Sequence, residues 1–175
     1  EELVLGGERI GVEFATYGLT GANSRAVEAA MAGFVTLEDA SDVVRSLRLV
    51  KSEAELVLVR HAGALADRAT ESMIAATGPG ILDSKVTAAG VAAMLEGGGD
   101  MPAGGPLVNS GPRALYGRGV GGPRRIETND QLLIELGASF CRYHVCIEHT
   151  VAIGAPDPRQ EAMMRIAAEA FAEVM

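Results

Sequence analysis

The chain has 175 residues, 48% of them hydrophobic but only 4% aromatic, and a formal net charge of −8. That length can bury roughly 70% of the surface an unfolded chain exposes, so a real core is expected, built from Ala, Val, Leu and Ile rather than rings. The acidic balance argues against a nucleic-acid backbone as partner, two cysteines make no disulfide framework, and no apolar run reaches the ~18 residues of a membrane span.

No basic-then-apolar leader opens the chain, and a reduced, cytoplasmic setting is the expectation. The chain begins at Glu1 without Met and stops at Met175 inside a helical pattern, so it reads as a fragment at both ends.

Residues 9–15 alternate well enough for a strand. Asn23 or Ser24 can cap a helix over 25–32 that Gly33 ends. A short strand over 34–36 and a helix opened by Asp39 or Ser41 towards Leu47 follow. Strand, helix, strand, helix in under fifty residues is α/β grammar.

Ser52 and Glu55 then form a Ser-x-x-Glu capping pattern ahead of a long helical run. Leu56, Val59, Gly63, Ala66, Ala69 and Met73 give it one apolar stripe. Gly78-Pro79-Gly80 cannot continue a helix and stops it. A second helix is expected from about Ser84 to Glu96, closed by three glycines. His61, inside the first of these helices, reads as structural.

From 97 to 125 the chain is rich in Gly and Pro, with one strand-like island over 106–110. Loops this long in a compact domain are usually functional or disordered. This one carries Arg113, Tyr116, Arg118, Arg124 and Arg125. Tyr116 and Arg118 are candidates to clamp a substrate carboxylate, whereas Arg124 and Arg125 read as a solvated rim. At the far end, Asp157-Pro158-Arg159-Gln160 caps a last helix.

Between them lies a stretch with two β-rich runs, 132–138 and 143–153, too close for a crossover helix and therefore an antiparallel hairpin. Pairing Ala138 with Tyr143 would put Glu135 opposite Cys146, Gly137 opposite His144 and Leu133 opposite Glu148. Side chains alternate along a strand, so Glu135, His144, Cys146 and Glu148 share one face. Ile134, Leu136, Tyr143, Val145, Ile147 and His149 share the other. A face of acid, imidazole and thiol suits proton exchange with water and a leaving nitrogen; a solvated sheet face is the plainer alternative.

Arg48 to Leu56 with Arg60, then Asn109-Ser110-Gly111-Pro112, Asn129 to Ala138 and Tyr143 to Thr150 resemble, in order, the creatinase, aminopeptidase P and prolidase family. The resemblance covers essentially the whole chain. It implies an α+β fold: residues 1–48 as the end of a small α/β N-terminal domain, and 49–175 as the first half of a pita-bread catalytic domain.

In the family's peptidases two Asp on this hairpin, eleven residues apart, hold a metal pair together with a His and two Glu from the later half of the domain. Here Glu135 and Cys146 stand at those positions, and a thiol is a poor partner for the hard ions Mn and Co. The peptidase His after the Ser-Gly-Pro turn is absent from 113–118, and His149-Thr150 replaces the usual Arg-Thr. The resemblance therefore points to the metal-free, creatinase-like branch, with Glu148 placed as in creatinase.

The expected activity is hydrolysis of a C–N bond in a small carboxylated nitrogen compound, of the creatine or ectoine kind. Glu135, Cys146, His144 and Glu148 would be catalytic, Tyr116 and Arg118 substrate-binding, and no metal or other cofactor is expected. The first alternative is an Xaa-Pro peptidase with an altered metal site holding a Mn or Co pair, zinc ranking below these. The second is an inactive pita-bread module kept for binding. The resemblance further implies a homodimer acting on a small molecule, and charge and hydropathy argue against nucleic acid and membrane as partners.

Overall fold

A computed structural model of the protein describes residues 6–119 and 122–175. The chain falls into two compact units, Glu1–Ser52 and Glu53–Met175.

In the first unit, strands β1 (Arg9–Val12) and β2 (Thr36–Asp39) pair in parallel, with Arg9 beside Thr36 and Val12 beside Asp39. Helix α1 (Gly21–Met31) makes the crossover that a parallel pair requires. Its cap is Thr20, whose hydroxyl accepts from the Asn23 amide at 3.2 Å, rather than Asn23 or Ser24. The second strand also starts later than the 34–36 expected. Helix α2 (Ser41–Leu49) follows.

In the second unit, helix α3 (Glu53–Ala75) begins where the Ser-x-x-Glu pattern puts it and stops short of the Gly-Pro-Gly turn. Helix α4 (Asp83–Glu96) packs against it. An antiparallel sheet in the order β3 (Leu107–Ser110), β4 (Asp130–Phe140) and β5 (Tyr143–Ile153) lies beneath the helices, and helix α5 (Pro158–Val174) ends the chain. Asp157 and Gln160 close a reciprocal capping box on α5.

Strand β4 has the burial rhythm that period-two patterning predicts. Leu132, Ile134, Leu136 and Ala138 are fully or almost fully buried and meet Leu65, Ala66, Ala69 and Met73 of α3 and Val86 and Met94 of α4. The buried stripe of α3 runs through Ala62, Leu65, Ala66, Ala69, Thr70 and Met73, so its upstream members Leu56, Val59 and Gly63 are only half-buried. His61, expected to be structural, stacks on Phe140 with ring centroids 4.1 Å apart. Among the described residues no helix is long and apolar enough to cross a membrane.

The hairpin register differs from the sequence expectation by two residues. Phe140 pairs with Tyr143, and only Cys141 and Arg142 form the turn. Both have positive φ, 48° and 68°, the backbone of a two-residue hairpin turn whose twist matches the strands. Glu135 is therefore opposite Glu148, and Gly137 opposite Cys146. A slip of two preserves the face of every side chain, where a slip of one would have reversed it.

Candidate functional site

The sheet face turned away from the α3–α4 core carries Glu135, His144, Cys146 and Glu148, as the alternation requires. Glu135 is half-buried and the other three are exposed. Cys146 is the diagonal neighbour of Glu135, and its thiol donates a long contact of 3.9 Å to Glu135 Oε1. Burial pushes the Cys146 thiol above its ordinary pKa, and the charges of Glu135 and Glu148 push it further in the same direction. The group is a protonated thiol at neutral pH, not a thiolate nucleophile.

Two segments border this face. Near the turn, the Asp100 amide donates to the Ser139 carbonyl at 2.8 Å, and Pro102 lies over Gly137. The Ala103 amide donates to His144 Nε2 at 3.2 Å while His144 Nδ1 meets the Arg142 carbonyl at 2.9 Å. An amide can only donate, so Nε2 is the acceptor and Nδ1 carries the proton. His144 thus has both ring nitrogens engaged and ties the covering segment to the turn end of the hairpin.

At the other border, Asn109 stands opposite Leu133, on the face that carries Glu135. Its Nδ2 donates to the carbonyls of Tyr116 and Arg118, each at 2.9 Å. The backbone of 116–118 is thereby held beside the site face, although the Tyr116 and Arg118 side chains are exposed. Glu135, Cys146 and Glu148 lie between the two borders.

A second constellation went unread in the sequence. Arg124 is not a solvated rim: its side chain is 18% exposed and that of its partner Asp130 only 4%. The Arg124 guanidinium donates to Asp130, to Glu127 Oε1 at 2.6 Å and to Ser110 Oγ at 3.2 Å. Ser110 in turn donates to Asp83 Oδ2 at 3.0 Å, and Asp83 Oδ1 accepts from the Arg124 amide at 2.9 Å. Burial would raise the Asp130 pKa, but Arg124 and the amides of Glu127 and Gln131 outweigh it and hold the carboxyl below its ordinary value. Gly111, at φ +59°, makes room, because a Cβ there would come within 2.7 Å of the guanidinium carbon. Arg125 is exposed, in line with a rim position, and donates to the Gly80 carbonyl at 2.9 Å.

This network floors an open cleft of about 570 Å³ at the end of the sheet, walled by Pro112, Leu115, Gln131 and the capping pair Asp157 and Gln160. Glu135, Cys146 and Glu148 do not line it; Gln131, on their face, is its nearest wall along β4. Gly154 makes the corner into α5. It has φ +67°, and a Cβ there would sit 2.2 Å from the Thr128 carbonyl oxygen. Gly154→Ala is expected to cost at least about 2 kcal/mol, from left-handed strain plus that clash, and a urea midpoint unchanged from wild type would refute this.

Among the described residues no three of His, Cys, Asp and Glu are arranged to hold a metal ion.

A model of the metallopeptidase family M24 matches residues 57–175. The Xaa-Pro dipeptidase of Pyrococcus horikoshii is 33% identical over 129 residues, 74% of this chain and 37% of that protein. An uncharacterised hydrolase/peptidase of Sinorhizobium fredii is 32% identical over 151 residues, 84% of this chain and 38% of that one. The solved prolidase of Pyrococcus furiosus superposes with a TM-score of 0.82 at 29% identity, covering 93% of this chain and 47% of its own. The chain thus spans less than half the length of these relatives. A family match over residues 57–175, nearly all of the helix-covered hairpin unit, together with a shared pita-bread fold, places this chain in the M24 metallopeptidase family.

Proposed function

We propose that the whole protein is a hydrolase of a C–N bond in a small substrate of the Xaa-Pro peptide kind, working at the hairpin face. The observation that carries this reading is Glu135, a half-buried carboxylate directly across from Glu148 on that bordered face, in a chain whose M24 relatives include Xaa-Pro dipeptidases. Those relatives favour the peptidase side of the family resemblance over the creatinase side.

Glu135 and Cys146 do not fit the pair of hard cations that the resemblance implies. The first offers a carboxylate, but the second offers a thiol sulfur, and hard cations take oxygen. No step is therefore routed through such a pair. Glu135 takes the proton from the attacking water and returns it to the leaving nitrogen. Glu148 faces it across the strands and sets the charge at which that exchange runs. His144 fixes the segment that shields the turn end of the face.

The donor set itself favours a second reading, hydrolysis of a non-peptide C–N bond in a small carboxylated nitrogen compound. The test is to screen the whole protein against Xaa-Pro dipeptides, creatine and ectoine, with and without added Mn or Co. Proline release supports the first reading. Turnover confined to creatine or ectoine selects the second, and no turnover by folded protein rejects both in favour of a binding module.

A further inference from the structure

Family membership makes a hard divalent pair the default expectation for this hairpin, and three features of the face run against it. Glu135 Oε1 and Cys146 Sγ are 3.9 Å apart, so their separation would admit a bound ion and the nature of the donors decides which. A thiol replaces the second oxygen donor, and hard ions such as Mn bind carboxylate, carbonyl and water in preference to sulfur. The residue across from Cys146 is Gly137, which brings no donor, and Pro102 lies over it, so one flank of Cys146 is apolar. Glu148 lies across from Glu135 rather than from Cys146, so the position directly opposite Cys146 holds no carboxylate.

We infer that the Glu135–Cys146 positions do not retain a hard divalent pair in this protein, and that Cys146 is the residue that excludes it. The inference rests on the M24 assignment of the hairpin and is independent of the substrate, so it stands or falls separately from the activity proposed above.

The experiment uses the whole protein, stripped with a chelator and equilibrated with MnCl₂ alone. Bound Mn is read by elemental analysis and by electron paramagnetic resonance. Wild type is expected to retain less than one Mn per chain. Cys146→Asp, which restores an oxygen donor at the same strand position, should tighten Mn binding by at least about tenfold, since changes even behind the ligands of a metal site shift affinity ~10–100-fold. Cys146→Ser, without a carboxylate, should stay close to wild type.

A wild-type protein that retains a Mn pair overturns the inference, whatever the variants do. So does a Cys146→Asp protein of native circular dichroism whose Mn affinity is unchanged. If that variant does not fold, the wild-type stoichiometry decides alone.

Discussion

Arg124→Met is expected to destabilise the protein by about 3–5 kcal/mol, the range for removing one partner of a buried ion pair and leaving the other charge uncompensated. Met keeps much of the side-chain volume, so the loss reports charge and hydrogen bonds rather than a cavity. The stranded group is Asp130, whose side chain is 4% exposed. Ser110 and Glu127 lose a donor at the same time. Asp83 keeps its bonds from the Ser110 hydroxyl and the Arg124 amide, so the damage should centre on the entry to β4.

The pH dependence gives the prediction a sign. In wild type the Asp130 pKa is lowered on folding. Its contribution is therefore fully present above the unfolded value, about 3.9, and is lost as pH falls through the lower folded value. In the Met variant burial remains while the counter-charge is gone, which favours the neutral acid. The deficit of the variant should thus shrink between about pH 6 and pH 3. Urea midpoints at those two pH values measure it. A loss below about 1 kcal/mol, or one that does not change with pH, would mean that Arg124 is not the counter-charge that Asp130 depends on.

How far the fold could be read from residues differs from element to element, for local reasons. Helix α3 is bounded by a capping pattern and a Gly-Pro-Gly stop, and α5 by Asp157, Pro158 and Gln160, all short-range signals that the backbone obeys. The hairpin was legible because alternation fixes which side chains share a face. Its register was not, because a tight two-residue turn is normally announced by Asn-Gly or Asp-Gly. Here Cys141 and Arg142 take up the left-handed backbone without that announcement. Likewise Thr20, one residue before α1, caps it in preference to the Asn and Ser just inside.

The candidate site divides along the same line. Glu135, Cys146 and Glu148 share a face because a local period dictates it. The engagement of His144 by Ala103 spans 41 residues, and the Arg124–Ser110 bond spans 14. No window of local sequence reports such pairings, so the segment held by His144 was not legible and the buried hub around Arg124 reads in sequence as a rim. One trace of the hub was present in Gly111. Only a glycine tolerates φ +59° with a guanidinium against its Cα, yet in sequence it reads as part of an ordinary Ser-Gly-Pro turn.

Glu135→Gln should lower turnover by the whole protein ~10²-fold or more, with substrate affinity little changed, because general acid–base groups contribute about 10²–10⁴-fold. The amide keeps the shape and one acceptor oxygen, so it removes the proton exchange while sparing the packing beside Leu107 and Glu148. The site offers an internal comparison. Glu148 is exposed where Glu135 is half-buried, so a group that only sets local charge should lose far less turnover on change to Gln. Turnover retained within a few-fold in a folded Glu135→Gln protein would remove this carboxylate from the chemistry. A loss equal in the two variants would show that the pair acts as one unit, since residues working together are strongly non-additive. A rise in KM without a fall in kcat would assign Glu135 to binding instead, because uniform binding lowers KM without accelerating the chemical step.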